Sequence, residues 1–279
     1  MAGVAGRGGV SAVGDASSDR RKESFDRVAE HYNSYRVGYP HRVVDALVAS
    51  SHIQEGSRVL EIGCGTGQLS VPLAERGVEL LALDLGPNLV GFARRNLAPF
   101  TRATVVVGAF EEWPLPDQPF DAVVSANALH WLDPEVRFSK TAEALKLGGV
   151  LTIGHAHHVR GGTPGFFEDS QEYYLKWGLS DDPFFQPPRP ADAPVMYPDL
   201  DGRPEFGPVR RQRFEVPSHF TTESYVGWLK TDSLVSILDD HSRLGFLNDI
   251  GHLIDAKYQG AVSRNFVYEI ITAQRAKVT

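Results

Sequence analysis

Arg58-Val59-Leu60-Glu61-Ile62-Gly63-Cys64-Gly65-Thr66-Gly67-Gln68 decides how this chain folds. Val59 to Ile62 has the apolar character of a parallel strand buried on both faces. Three glycines at every second position break it. A helix-like segment follows through Leu69, Leu73 and Ala74 and stops at Gly77. Strand, tight turn and helix make the first unit of a doubly wound α/β sheet. Glycine serves where the chain reverses with unusual dihedrals and where a ligand lies against bare backbone. A ligand would therefore sit at the carboxyl end of the strand, over the helix N-terminus.

The spacing and charge around the bend narrow that ligand. Dinucleotide sites use G-x-G-x-x-G and seat a pyrophosphate. Here the spacing is G-x-G-x-G, and Glu61 stands just before the first glycine. A carboxylate on that rim repels pyrophosphate and accepts hydrogen bonds from a cationic or hydroxyl-bearing group. Val78 to Leu83 reads as the second strand, with Asp84 at its end, where an acidic residue binds both ribose hydroxyls of an adenosine. S-adenosylmethionine, with sulfonium and ammonium charges, fits this better than NAD does.

Leu60-Glu61-Ile62-Gly63-Cys64-Gly65-Thr66-Gly67 resembles the first motif of the class I S-adenosylmethionine-dependent methyltransferases, of the bacterial small-molecule or natural-product group. Ala82-Leu83-Asp84-Leu85-Gly86-Pro87-Asn88 resembles the ribose motif and Gly108 to Asp117 the adenine motif. Phe120 to Ser125 resembles the fourth strand and Leu145 to Leu151 the turn into the fifth. The resemblance covers roughly residues 24 to 154, and Phe220 to Arg275 also resembles the C-terminal part of one such group. It implies an α/β fold with a doubly wound, seven-stranded sheet, the last strand antiparallel beside the fifth, and a lid after the fifth strand. It implies S-adenosylmethionine as cofactor and S-adenosylhomocysteine as product. The cofactor-binding residues it implies are Tyr32, Arg36, Glu61, Gly63, Gly65, Gly67, Gln68, Asp84, Leu85, Asn88, Ala109, Phe110 and Asn127. Many relatives carry Asp where Ala109 stands, so backbone or Glu111 must hold the adenine amino group. Arg36 either pairs with the methionine carboxylate, as a two-pronged donor, or is a surface arginine.

Outward from this core, residues 1–19 are rich in Gly, Ala, Val and Ser and read as disordered, without the form of a signal peptide. Residues 20–52 read as helices capping the site: Phe25, Val28, Ala29 and Tyr32 form one apolar stripe. That first helix is either packed on the sheet's flank or a lid exchanged between subunits of a homo-oligomer. Residues 53–154 read as the cofactor-binding core. Asn127-Ala128-Leu129-His130-Trp131 ends the fourth strand facing the crevice, and Glu135 to Leu147 reads as a helix stopped by Gly148-Gly149. At the mouth of the fifth strand, Val150 to Gly154, stands His155-Ala156-His157-His158. His155 and His157 would share a face, and His157, His130 and His155 are the candidate catalytic residues. No cysteine or acidic partner lies near them, so no metal is expected.

Residues 155–208 hold nine of the 18 prolines and many aromatics, and read as a substrate lid. Its rings suggest a small, largely apolar aromatic or prenylated acceptor, methylated on O, N or C, in secondary metabolism. They could equally form a second small core. Residues 209–279 complete the α/β core with helical cover. The net charge of −7 argues against a nucleic-acid partner. No apolar run approaches the ~20 residues of a membrane span. With Cys64 the single cysteine, no intrachain disulfide can form, and a reducing cytoplasm is expected. The alternative function is a methyltransferase-fold protein that binds the cofactor but acts as a cyclase or a non-catalytic binding module.

Overall fold

The computed structural model describes residues 25 to 277; the disorder expected over 1–19 lies outside them. The chain runs α1 (Ala29–Tyr35), α2 (His41–Ser50), β1 (Arg58–Ile62), α3 (Ser70–Ala74), β2 (Glu79–Asp84), α4 (Pro87–Asn96), β3 (Ala103–Val107), β4 (Phe120–Ala126), α5 (Arg137–Ala144), β5 (Leu145–Gly162), α6 (Phe166–Lys176), β6 (Arg210–Thr221), α7 (Thr222–Leu229), α8 (Ser233–Ser236), α9 (Asp240–Tyr258) and β7 (Ala261–Gln274). One seven-stranded sheet has the order β3-β2-β1-β4-β5-β7-β6. The first five strands are parallel, and β7 is inserted antiparallel between β5 and β6.

Burial on both faces explains the apolar strand sequences. Neighbouring residues point to opposite sides of a sheet: Val59 enters one core with Leu47, Val90 and Phe246, and Leu60 enters the other with Phe120, Phe138 and Leu200. Both are fully buried, worth roughly 1.5–3 kcal/mol each relative to exposure. α7 starts on a capping box: Thr221 accepts from the Ser224 amide, and Ser224 accepts from that of Thr221.

Three expectations change. The helix read over Glu135 to Leu147 ends at Ala144, and Leu145 already pairs with Phe120. Gly148-Gly149 therefore shape an irregularity in β5 rather than a helix cap. A Cβ on Gly149 would stand 2.9 Å from the Asp121 carbonyl oxygen. Second, β5 continues through the histidines to Gly162, because β7 pairs with it residue by residue from Val150 to Val159. Residues 155–162, read as the start of the lid, belong to the sheet. Third, most aromatics of the lid stretch are core. Phe166 packs on Tyr225 and Tyr258, Tyr174 on Phe246, and Tyr197 on Phe138, while Phe184 and Phe185 are exposed. The reading of a second hydrophobic core describes them better than that of an open acceptor pocket.

α1 lies against α7 of its own chain: Tyr35 fills the space where a Cβ on Gly227 would stand 2.3 Å away, and its hydroxyl donates to Glu223 at 2.9 Å. No helix among the described residues is long and apolar enough to cross a membrane.

Candidate functional site

The glycine bend is built by close approach. Gly63 has φ +72°, and a Cβ there would lie 2.2 Å from the Ala128 Cβ, so a side chain at 63 would collide with the loop after β4. The Gly63 and Cys64 amides both donate to the Leu83 carbonyl, at 2.8 and 3.1 Å. Asp84 closes the bend, its Oδ2 accepting from the Gly65 amide at 2.8 Å and its Oδ1 from Gly86 at 2.9 Å. Cys64 is a buried filler whose thiol pKa burial pushes well up.

Glu61 is not on the rim. It is 2% exposed, below the bend, and accepts from the Ser70 hydroxyl at 2.6 Å. Burial raises its pKa to about 8; the Ser70 bond opposes the shift and the Asp84 charge adds to it. It lines a narrow annex with Tyr32, Arg36, Tyr39, Gln68 and Asn127.

A cavity of about 790 Å³ opens beside this annex, over the carboxyl ends of β1 to β4. Of the residues expected at a cofactor, Tyr32, Arg36, Gly63, Gly65, Asp84, Leu85, Ala109, Phe110 and Asn127 line it; Glu61 and Gln68 line the annex. Gly67 sits inside the turn with φ +101°. Asn88 is not part of the cavity's lining and is held by Asp26, which accepts from its amide at 2.7 Å and its side chain at 2.9 Å. Asp26 also accepts from the Leu89 amide, so it caps α4 from a distant segment and itself lines the cavity. Asn127 is held at φ 54°. Its Nδ2 donates to the Tyr39 hydroxyl at 3.1 Å, and its Oδ1 accepts from the Ala156 amide at 2.8 Å. This couples the end of β4 to the annex and to β5.

The three candidate histidines do come together. Ring centroids are 5.7 Å apart for His130 and His155 and 4.6 Å for His155 and His157. None of them lines the cavity; His130 abuts Trp131, which does. His157 is 5% exposed, its Nε2 at 3.3 Å from Glu269 Oε2, and Glu269 also accepts from Arg213 Nε at 2.9 Å. Burial and then the neighbouring His157 lower His155 to about 3, and its Nδ1 is sealed with no partner. Burial and then Arg137 lower His130 to about 4. Both are neutral at pH 7 and weak as bases. Among the described residues no group of three or more His, Cys, Asp or Glu is placed to hold a metal ion.

Residues 59–149 match the family described as "Methyltransferase domain". An uncharacterized methyltransferase of Mycobacterium tuberculosis is 35% identical over 130 residues, 47% of this chain and 51% of that protein. The chain thus spans about half the length of the curated relatives it matches. Among solved structures, a SAM-dependent methyltransferase from Geobacter sulfurreducens in complex with S-adenosylhomocysteine has a TM-score of 0.51 at 14% identity, covering 88% of this chain and 96% of that one. The [4+2]-cyclase SpnF has a TM-score of 0.53 at 15% identity, covering 93% and 97%. At such identities these likenesses concern the fold. Residues 59–149 thus carry a methyltransferase domain, and the sheet order and glycine bend agree with the fold of the class I S-adenosylmethionine-dependent methyltransferases.

Proposed function

We propose that the cavity binds S-adenosylmethionine and that the protein transfers its methyl group to a small acceptor with an aromatic or otherwise apolar body, leaving S-adenosylhomocysteine. The observation that carries this reading is that Asp84, which holds the Gly65 amide, lines one cavity together with the bare backbone of Gly63 and Gly65 and with Arg36. Asp84 takes the ribose hydroxyls, and Leu85 and Phe110 flank the adenine. Glu111, lining the same cavity where Ala109 offers no carboxylate, takes the adenine amino group. Arg36 has no ion-pair partner among the described residues and donates only a long 3.4 Å bond to Thr231. It is free to take the methionine carboxylate, with Glu61 in the annex drawing the ammonium.

Methyl transfer is an in-line displacement at a sulfonium carbon, so the protein's contribution is to align and desolvate the acceptor. With His130 and His155 held neutral and His157 tied to Glu269, alignment outweighs proton abstraction here. His130 packs on Trp131, which lines the cavity. A second reading, cofactor binding without methyl transfer, has support in the fold shared with a cyclase. Calorimetric titration with S-adenosylhomocysteine, with NADH as the control, tests the cofactor: Asp84→Ala should abolish binding, and NADH should not bind. Transfer of labelled methyl from the cofactor to an acceptor pool separates the two readings.

A further inference from the structure

The antiparallel extension of β5 and β7 beyond the sheet carries a second polar feature on its other face. Arg264 of β7 is 6% exposed. Its Nη1 donates to the Tyr225 hydroxyl at 2.8 Å, and its guanidinium lies 5.1 Å from the centre of the Phe167 ring. Among the described residues no carboxylate comes within ion-pair distance, and Nε and Nη2 have no protein acceptor. Those two nitrogens are not among the sealed polar atoms, so each keeps some accessible surface. A guanidinium taken out of water without a counter-charge is costly. Asp232, whose carboxylate accepts from the Leu234 amide, acts by charge on Tyr225 but forms no ion pair with Arg264.

Ring contacts link this side of Arg264 to the annex. His158 on β5 is exposed, and the surrounding protein, then Arg264 and Arg36, lower its pKa to about 3. Its ring lies 5.0 Å from Phe266 and 5.4 Å from Trp228, and Trp228 lies 5.5 Å from Tyr225, the partner of Arg264. In the other direction Phe266 meets Tyr268 at 6.3 Å, and Tyr268 meets Tyr39 at 6.2 Å. An unbroken chain of ring contacts thus runs from the Asn127–Tyr39 pair to a buried cation without an ion-pair partner.

We propose that a recess between Arg264 and the annex, along these rings and His158, is the acceptor site and that Arg264 takes an anionic group, a carboxylate or similar oxyanion, at the far end of the acceptor's apolar body. The methylated end then lies at the annex, where the cofactor's methyl would arrive. This deepens the methyl-transfer reading and rests on it, with Arg36 occupied by the cofactor and Arg264 left for the acceptor.

The probes are 2-naphthoate and its neutral counterpart 2-naphthamide, titrated into protein saturated with S-adenosylhomocysteine and followed by tryptophan fluorescence. The carboxylate should bind about tenfold or more tightly than the amide, the scale of a charge-assisted hydrogen bond. Arg264→Gln should bring that ratio close to one while leaving S-adenosylhomocysteine affinity unchanged, and Arg264→Lys should keep part of it. No preference for the carboxylate in the unsubstituted protein overturns the proposal, and that arm needs no variant to fold. A preference that survives Arg264→Gln overturns it too. Failure of S-adenosylhomocysteine to bind strikes the cofactor reading instead, and the naphthoate comparison is then made without it.

Discussion

Gly63→Ala is the sharpest test of the bend. The new Cβ would stand 2.2 Å from that of Ala128 at a backbone φ of +72°. Holding a side chain in the left-handed region costs about 1–2 kcal/mol. Overpacking at a tight contact adds about 1–3 kcal/mol, because the post-β4 loop must retreat. A loss of about 3–4 kcal/mol is a large share of the roughly 5–15 kcal/mol that holds a folded domain together. For a chain of this size it should lower Tm by about 10 °C. The internal control is Gly91→Ala in α4, where a Cβ would meet nothing within 4 Å. Alanine there should stabilise the helix by about 0.5–1 kcal/mol. Chemical denaturation of both variants and S-adenosylhomocysteine calorimetry measure the difference. The retreating loop carries Asn127 and Ala128, so Gly63→Ala should lose cofactor affinity as well as stability. If Gly63→Ala unfolds within about 0.5 kcal/mol of the parent, the margin of an ordinary surface substitution, and binds the cofactor product normally, the close-approach account is wrong.

Other predictions follow from charge and capping. Glu61, raised to about 8, keeps a proton in the folded chain that the unfolded chain loses above pH about 4.5. The folded state then binds more protons, so stability should fall as pH rises from about 4.5 to about 8 and level off above; Glu61→Gln should flatten that slope in denaturation series at several pH values. A cationic ammonium beside Glu61 favours its ionised form, so S-adenosylhomocysteine should bind more tightly at pH 8 than at pH 6, and Glu61→Gln should remove the difference. Glu269→Ala strips the partner from His157 and Arg213 and should cost about 3 kcal/mol, measured by urea unfolding. His157→Ala should lower stability while S-adenosylhomocysteine affinity stays put; a drop in affinity alone would move His157 into the site. Thr221→Ala should cost about 1 kcal/mol through the lost cap of α7, read as a shifted denaturation midpoint.

The glycine bend and Asp84 were legible because one short local pattern, an apolar strand running into spaced glycines, fixes them without help from the rest of the chain. Strand lengths at the other end of the sheet were not. Residues 155–162 carry histidines, arginine and glycine, a poor strand by local pattern, and are extended because β7 supplies their hydrogen bonds. Residues 217–221 of β6 are likewise a poor strand by local pattern. Pro217 reads as a break, yet in the outermost strand its missing N–H costs little. In the site, Asp26 left no trace in the spacing, since its role depends on how the N-terminal segment docks onto α4. His158 could have been found by the alternation that paired His155 with His157: it points to the opposite face, where Phe266 and Trp228 lie.

Pro217 has one more effect. β6 is the sheet's last strand on that side, and an exposed margin of backbone donors and acceptors invites a neighbouring molecule to add its own strand. A proline partway along, among Arg210, Arg211, Arg213 and Glu215, interrupts that row and surrounds it with charge. Growth of one continuous sheet across two molecules is thereby discouraged along this border.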